Sequence, residues 1–378
     1  MNGTKKETEG LPPARRGRGK WTTIGAVGVV VIILAYGVMA GWFSSSATTT
    51  LLGAGATFPY PLISKWSSEY QKLTGVQVNY QSIGSGGGIQ QITARTVDFG
   101  GTDAPLNATE RSHAPNLLHI PETMGAVTLT YNIPGVGSGL NVTGPVIADM
   151  FLGTVTRWNA ANMTTLNPGI TLPDQPISVV HRSDGSGTTF VWTDYLSKVS
   201  PAWASQVGKG KSVNWPVGIG AKGNDGVSAS VSQTPYSVGY VELAYAASNG
   251  LKYAKVENSA GNFILPTLDT TRIAAENAAP SLPNGEDSWT TVSIVNPSGD
   301  QSYPISSFTY IVVYRELNVY GSSMNQQRAK ALVDFLWWIV HDGQQYSSAL
   351  YYVPLPQQVV NIDERSIGLI TYNGQALR

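Results

Sequence analysis

Four times along this chain, small hydroxyl residues and glycines stand beside an expected helix start. They are Gly53-Ala54-Gly55-Ala56-Thr57-Phe58-Pro59, Ile83 to Gly88, Gly100-Gly101-Thr102-Asp103, and Arg182 to Thr188. Strand and helix signals alternate around them. Leu62, Ile63, Trp66, Tyr70 and Leu73 share one helical face, which stops at Gly75. Val76, Val78 and Tyr80 alternate with polar residues, as a strand does, and enter Gly84-Ser85-Gly86-Gly87-Gly88 and a short helix to about Arg95. Val97-Asp98-Phe99 predicts a brief strand closed by Gly100-Gly101. The β-branched run Ile177 to His181 leads through Arg182 to Thr188 into a helix carrying Phe190, Val191, Tyr195 and Leu196. Tyr310 to Val313 predicts a strand, and about Asn325 to His341 a helix burying Leu332, Val333, Leu336, Trp337 and Val340. Such alternation implies an α/β sheet with helices on its faces. The acid-, Pro- and Asn-rich stretch Glu276 to Asp300 reads as surface loop.

The 378 residues suffice for two globular units and a short appendage. An apolar content of 42% against 13% charged residues is that of a chain that builds a core. The absence of cysteine excludes disulfides, thiolate chemistry and a lipidated N-terminal cysteine. The charge balance is zero but uneven. Residues 1–20 hold six bases and two acids, which leaves 18 bases and 22 acids in the rest. A mildly acidic body without a basic stripe argues against nucleic-acid binding.

Behind that basic leader, Thr22 to Phe43 holds no charge over 22 residues. A membrane-spanning helix needs about 20 such residues, and a signal-peptide apolar core only about 7–15. Trp21, Trp42 and Phe43 stand at its edges, as interfacial aromatics do. The expectation is a cytoplasmic segment over 1–21, a transmembrane signal anchor over 22–43 and a Ser/Thr linker over 44–50, with the rest outside the cell membrane; the alternative is cleavage after Val38-Met39-Ala40.

The recurring stretches predict an anion site. The first N–H groups of a helix lack intrahelical partners, and the macrodipole adds partial positive charge there. Glycine admits an ion close to the backbone, and hydroxyls add donors. A small tetrahedral oxyanion fits such a shell, and Arg182 adds a planar fork of charged donors. No Walker A, GxSxG or HExxH motif is present, and His113, His119, His181 and His341 show no metal spacing. No cofactor is expected. Gly223-Asn224-Asp225-Gly226 reads as a turn with a helix cap and receives no ligand role. Asn107, Asn141 and Asn162 open N-glycosylation triplets.

The order GAGATFP, IGSGGG, VDFGGTDAP, RSDGSGTTFVWTDYL, KGNDGV and GYVELAYA, within Leu51 to about Tyr372, resembles the phosphate-binding proteins of high-affinity phosphate ABC transporters. That resemblance implies a two-lobed periplasmic-binding-protein-like fold with the ligand in a cleft between lobes. Lobe one would comprise 51–124 and 303–378, and lobe two 125–302. The implied ligand set is Thr57, the Phe58 backbone, Ser85, Asp103, Arg182, Ser186, Gly187 and Thr188. Asp184 would steady Arg182, and Asp103 would accept a hydrogen bond from a protonated phosphate oxygen. Gly86 and Thr102 stand where the family often has Ser. The implied partners are inorganic phosphate and an ABC permease with its ATPase. One rival reading is a site for another oxyanion such as sulfate. Another is a secreted phosphatase or serine hydrolase using Ser85 or Ser186, against which stands the lack of a recognisable base or metal set.

Overall fold

A computed structural model describes residues 49–278 and 282–378. The expected anchor over 22–43, the basic segment before it and most of the linker lie outside the described residues. Among the described residues no helix is long and apolar enough to cross a membrane.

Strand β1 (Thr50–Gly55) is followed by helix α1 (Tyr60–Thr74), strand β2 (Gln77–Ser82), helix α2 (Ser85–Thr93) and strand β3 (Phe99–Thr102). Strands β1–β2 and β1–β3 pair in parallel, so their C-terminal ends open at one edge. Helix α1 buries Leu62, Ile63, Trp66 and Tyr70 of the face expected from the periodicity, leaves Leu73 in its last turn exposed, and ends at Gly75 with φ 77°. Glycine tolerates that left-handed conformation without a Cβ penalty.

The long strand β4 (Leu117–Asn132) joins two halves of the sheet. Further along come β5 (Ser178–Arg182), α3 (Gly187–Val199), β6 (Ile219–Ala221), α4 (Gly223–Gln233) and β7 (Ser237–Glu242). Strand β8 (Ser306–Tyr314) and helices α5 (Gln326–Val340) and α6 (Gln357–Gly368) return the chain to the first half. The strand order is β2-β1-β3-β8-β4-β7-β5-β6. Residues Leu117 to Ala126 of β4 pair with β8, and Val127 to Asn132 pair with β7, both antiparallel. One strand thus carries the chain between lobes, and helices cover both faces, which is why nearly all of β4 is buried.

Two sequence expectations change in detail. Ser85 to Gly88 form the first turn of α2 and not a preceding loop. A Cβ at Gly88 would sit 2.5 Å from the Gly55 Cα and 2.7 Å from the Ala54 carbonyl oxygen, so the glycines let the helix lie on the β1 backbone. The stretch 276–300 is helical up to Ala278, and its described remainder is a loop, exposed over much of its length but pinned at the buried Gly285, Trp289, Ile294 and Val295. Trp289 is fully buried, stacks on His119 and meets Tyr310 edge to face. The Gly285 N–H donates to Ser366, and the Thr290 hydroxyl donates to the Leu106 carbonyl, so this stretch packs on elements of the first half.

Candidate anion-binding site

Helices α1 and α2 begin without a side-chain cap on their first N–H groups, and the first N–H groups of α4 go to more distant side chains, Gly223 N–H to Asp184 and Asn224 N–H to Thr57. Helix α3 is capped by the Ser186 hydroxyl, which accepts from Thr189 N–H at 3.0 Å. The N-termini of α2 and α3, one from each lobe, meet. The Gly187 N–H donates to Ser85 Oγ at 3.0 Å, Asp103 N–H donates to the same atom at 3.3 Å, and Gly86 N–H donates to the Gly185 carbonyl at 2.9 Å. A hydroxyl that accepts twice still has its own proton to give.

Thr57 behaves alike. Its Oγ1 accepts from Asn224 N–H at 3.2 Å and from Asn224 Nδ2 at 2.8 Å. Asn224 Nδ2 also donates to Thr188 Oγ1 at 3.1 Å, and Thr188 Oγ1 donates to Asp103 Oδ2 at 3.3 Å. Thr57, Asn224, Thr188 and Asp103 thus form one connected chain across the cleft. Phe58 is fully buried, with its carbonyl accepting from the Tyr352 hydroxyl at 2.7 Å.

Arg182, at the end of β5, is 3% exposed. Its Nε and Nη2 donate to the two oxygens of Asp184 at 2.8 and 2.6 Å. Its Nη1 is buried without a protein partner. Burial pushes the Asp184 carboxyl up, but the Arg182 hydrogen bonds and charge, with the Gly223 N–H, outweigh that and hold it below the usual carboxylate range. The fork is therefore fixed on one side and presents one charged donor nitrogen on the other.

Asp103 is the acceptor in this donor-rich shell. Burial pushes its carboxyl up to about 7, against the pull of the Thr309 hydroxyl, the Arg182 charge and Thr188. It is not a helix cap: the next helix, Ala108–His113, is capped by Asn107, which accepts from Glu110 N–H. Two more buried acids lie close by. Burial pushes Glu122 up to about 8, with Thr309 pulling down and the Asp103 charge pushing further up. Glu242 is held well above the ordinary range, again chiefly by burial.

All residues expected at the site are therefore brought together: Thr57, Ser85, Asp103, Arg182, Ser186, Gly187 and Thr188 lie at these converging ends with the Phe58 backbone, and Asp184 pairs with Arg182. His181, the histidine nearest in sequence to Ser186, is engaged elsewhere. The His181 ring stacks on Trp215 and has Nδ1 against the Arg182 carbonyl, while Ser186 Oγ serves α3 as cap. No cluster of His, Cys, Asp or Glu suited to a metal ion occurs among the described residues.

Comparison with known proteins agrees. Residues 44–342 match the PBP superfamily domain. The chain is 46% identical over 323 residues to the phosphate-binding protein PstS of Pasteurella multocida, covering 84% of this chain and 91% of that one. It is 45% identical over 309 residues to PstS of Xylella fastidiosa, covering 82% of each chain. The chain belongs to the PstS family. The fold has solved counterparts. A phosphate-binding protein from Stenotrophomonas maltophilia superposes with a TM-score of 0.64 at 20% identity, over 84% of this chain and 94% of that one. A high-affinity periplasmic phosphate-binding protein, PfluDING, gives 0.64 at 21% identity, over 83% and 92%.

Three residues of this PstS-family chain escaped the sequence reading. Asn224, read as part of a turn, is fully buried and links Thr57 to Thr188. A signal existed: Gly223, in a left-handed conformation at φ 72°, puts an amide side chain inside the first turn of α4 rather than at its cap. Glu122 is the one acid in the sixteen-residue strand β4, a position that needs a reason. Thr309 sits in an otherwise ordinary buried strand and gave no signal.

Proposed function

We propose that this chain captures inorganic phosphate between its two lobes and delivers it to an ABC permease, with its ATPase, for import. The observation that carries the reading is a buried carboxylate, Asp103, set among hydroxyl, backbone and guanidinium donors. Thr57, Phe58 N–H, Ser85, Arg182 and Ser186 donate to phosphate oxygens, and so do the backbone N–H groups of Gly187 and Thr188, the Gly187 N–H exchanging its Ser85 partner for the ligand while the Thr188 hydroxyl stays on Asp103. Asp103 accepts from the oxygen that keeps a proton. Near neutral pH phosphate has such a proton and sulfate does not, so sulfate would set an oxygen lone pair against a carboxylate lone pair in a dry site.

Lobe one spans 51–124 and 303–378 and lobe two 125–302, turning about the β4 and β8 crossings, and the ligand closes them because each contributes donors. The protein binds and does not turn over its ligand. Residues 22–43 hold it to the outer face of the cell membrane as an uncleaved anchor.

The test is competition of phosphate and sulfate on wild type and Asp103→Asn. Above about pH 7, where Asp103 is ionised, it predicts strong rejection of sulfate by wild type, since a site built to pair a ligand hydroxyl rejects analogues lacking it by up to ~10⁴–10⁵-fold. Asparagine, able to turn N–H₂ toward sulfate, narrows the gap. Equal binding of both anions by wild type, or an unchanged ratio in Asp103→Asn, refutes this reading.

A further inference from the structure

Behind Asp103, on the side away from Thr188, lies a second buried contact. Thr309 Oγ1 stands 3.0 Å from Asp103 Oδ1 and 3.2 Å from Glu122 Oε1, and Thr309 and Glu122 are fully buried. The placement of Glu122 comes from a break in the sheet. Along the β4–β8 ladder Thr309 faces Thr123 and Tyr310 faces Pro121, so Glu122 is an extra residue on β4. Bulges of this kind re-aim a side chain and recur beside functional sites. Here the Glu122 carbonyl is satisfied by Gln344 Nε2 at 2.9 Å, and its side chain reaches Thr309.

A threonine hydroxyl has one proton, so it cannot donate to two carboxylates. If both acids were ionised, one contact would set lone pair against lone pair in a dry interior. One acid must carry the second proton, and the surroundings decide which. Asp103 has the Arg182 charge and the Thr188 hydroxyl beside it. Glu122 has no cation against it, and its Oε2 has no hydrogen-bond partner. The proton therefore sits on Glu122 Oε1, which donates to Thr309 Oγ1, which in turn donates to Asp103 Oδ1. No bond is broken; the arrangement fixes the direction of a hydrogen-bond chain.

We propose that Glu122, acting through Thr309, is a positioning residue that holds Asp103 as an ionised acceptor and so sets the preference for a protonated oxyanion over sulfate. This rests on the phosphate reading above and deepens it. The other ionisable groups facing Asp103 are Arg182 from β5, Glu242 at the end of β7, and Tyr80, Tyr245, Tyr310 and Tyr352. Glu122 faces Asp103 and Tyr80. Burial pushes all four tyrosines up and so keeps them neutral. Thr309, Arg182 and Thr188 are then what favour the Asp103 charge. Without the Thr309 proton, Asp103 protonates at higher pH and, once protonated, can donate to sulfate.

The test uses the full-length protein, its Thr309→Val, Thr309→Ser and Glu122→Gln variants, and phosphate–sulfate competition between about pH 5.5 and pH 8. Thr309→Val loses about tenfold or more of the wild-type ratio, the weight of one hydrogen bond to a charged group, and binds sulfate up to a higher pH. Thr309→Ser keeps the hydroxyl, and Glu122→Gln keeps a donor toward it, so both retain the wild-type ratio and profile. Infrared difference spectra of wild type against Glu122→Gln at neutral pH show the carbonyl band of a protonated carboxylic acid, a readout independent of ligand. An unchanged ratio in Thr309→Val overturns the proposal. So does a collapsed ratio in Glu122→Gln, or the absence of the carboxylic-acid band. If wild type itself binds no phosphate, the functional reading fails instead, and the infrared result still decides the protonation of Glu122.

Discussion

Gly187→Ala isolates closure of the cleft from stability of the fold. Gly187 opens α3 in lobe two, but a Cβ built there would meet lobe-one atoms: Ser85 Oγ at 2.5 Å, Asp103 Cβ at 2.6 Å and Asp103 Oδ2 at 2.6 Å. Gly187 does not have a left-handed φ, so alanine is acceptable to its own backbone. The conflict exists only while the lobes are shut. The Asp103 Cβ cannot swing aside as the end of a flexible side chain could. Overpacking of this kind costs about 1–3 kcal/mol, which is a loss of about 5- to 150-fold in phosphate affinity. The ligand-free protein should melt as wild type does or slightly higher, because alanine is the better helix former. Calorimetric titration with phosphate and thermal melting without it give the two numbers. Wild-type affinity in Gly187→Ala would show that the two helix ends do not approach this closely in the bound state. A fall in ligand-free stability equal to the loss in binding would place the clash in the fold itself and refute the closure argument.

Arg182→Ala should weaken phosphate binding by about 100-fold or more, since charged hydrogen bonds contribute ~1.5–3 kcal/mol each; a loss under tenfold in titration would remove Arg182 from contact with the ligand. Glu122 rises on folding from an ordinary carboxylate value of ~4.3 to about 8. Its neutral burial therefore stabilises the fold fully below the lower value, and that stability is lost as pH rises toward the upper one. Denaturant midpoints of wild type should fall between about pH 5 and pH 8, and Glu122→Gln should lessen that slope; equal slopes would mean that Glu122 does not titrate as described. The full-length protein should stay with membranes through high-salt and carbonate washes, and a dominant soluble form beginning near Gly41 or Ser44 would contradict the anchor.

The periodic elements were legible because one physical signal sufficed for each. The α1 face, β5 and α5 lie within a residue or two of their expected positions, with Trp338 buried on α5 and the expected Trp337 only half-buried, since burial of one face writes a 3.6- or 2-residue period into the chain. Arg182 and the glycine–hydroxyl stretches were legible as donors because few other structures need those residue types together. The glycines of α2 and β3 were misplaced because glycine signals a turn and close packing equally. At Gly101 the reason is lateral, a Cβ that would lie 2.2 Å from the Tyr80 hydroxyl. Asn224 and Thr309 act through partners 167 and 206 residues away, a relation that no local pattern encodes. The bulge at Glu122 depends on register against β8, which is settled only when the strands pair.

Calorimetric titration of the compact unit Thr49–Arg378 with inorganic phosphate, repeated in a large excess of sulfate, tests the central claim most directly. The account predicts one phosphate per chain, bound with nearly the same affinity whether or not sulfate is present. Absence of binding, or displacement of phosphate by sulfate at comparable concentration, would contradict it.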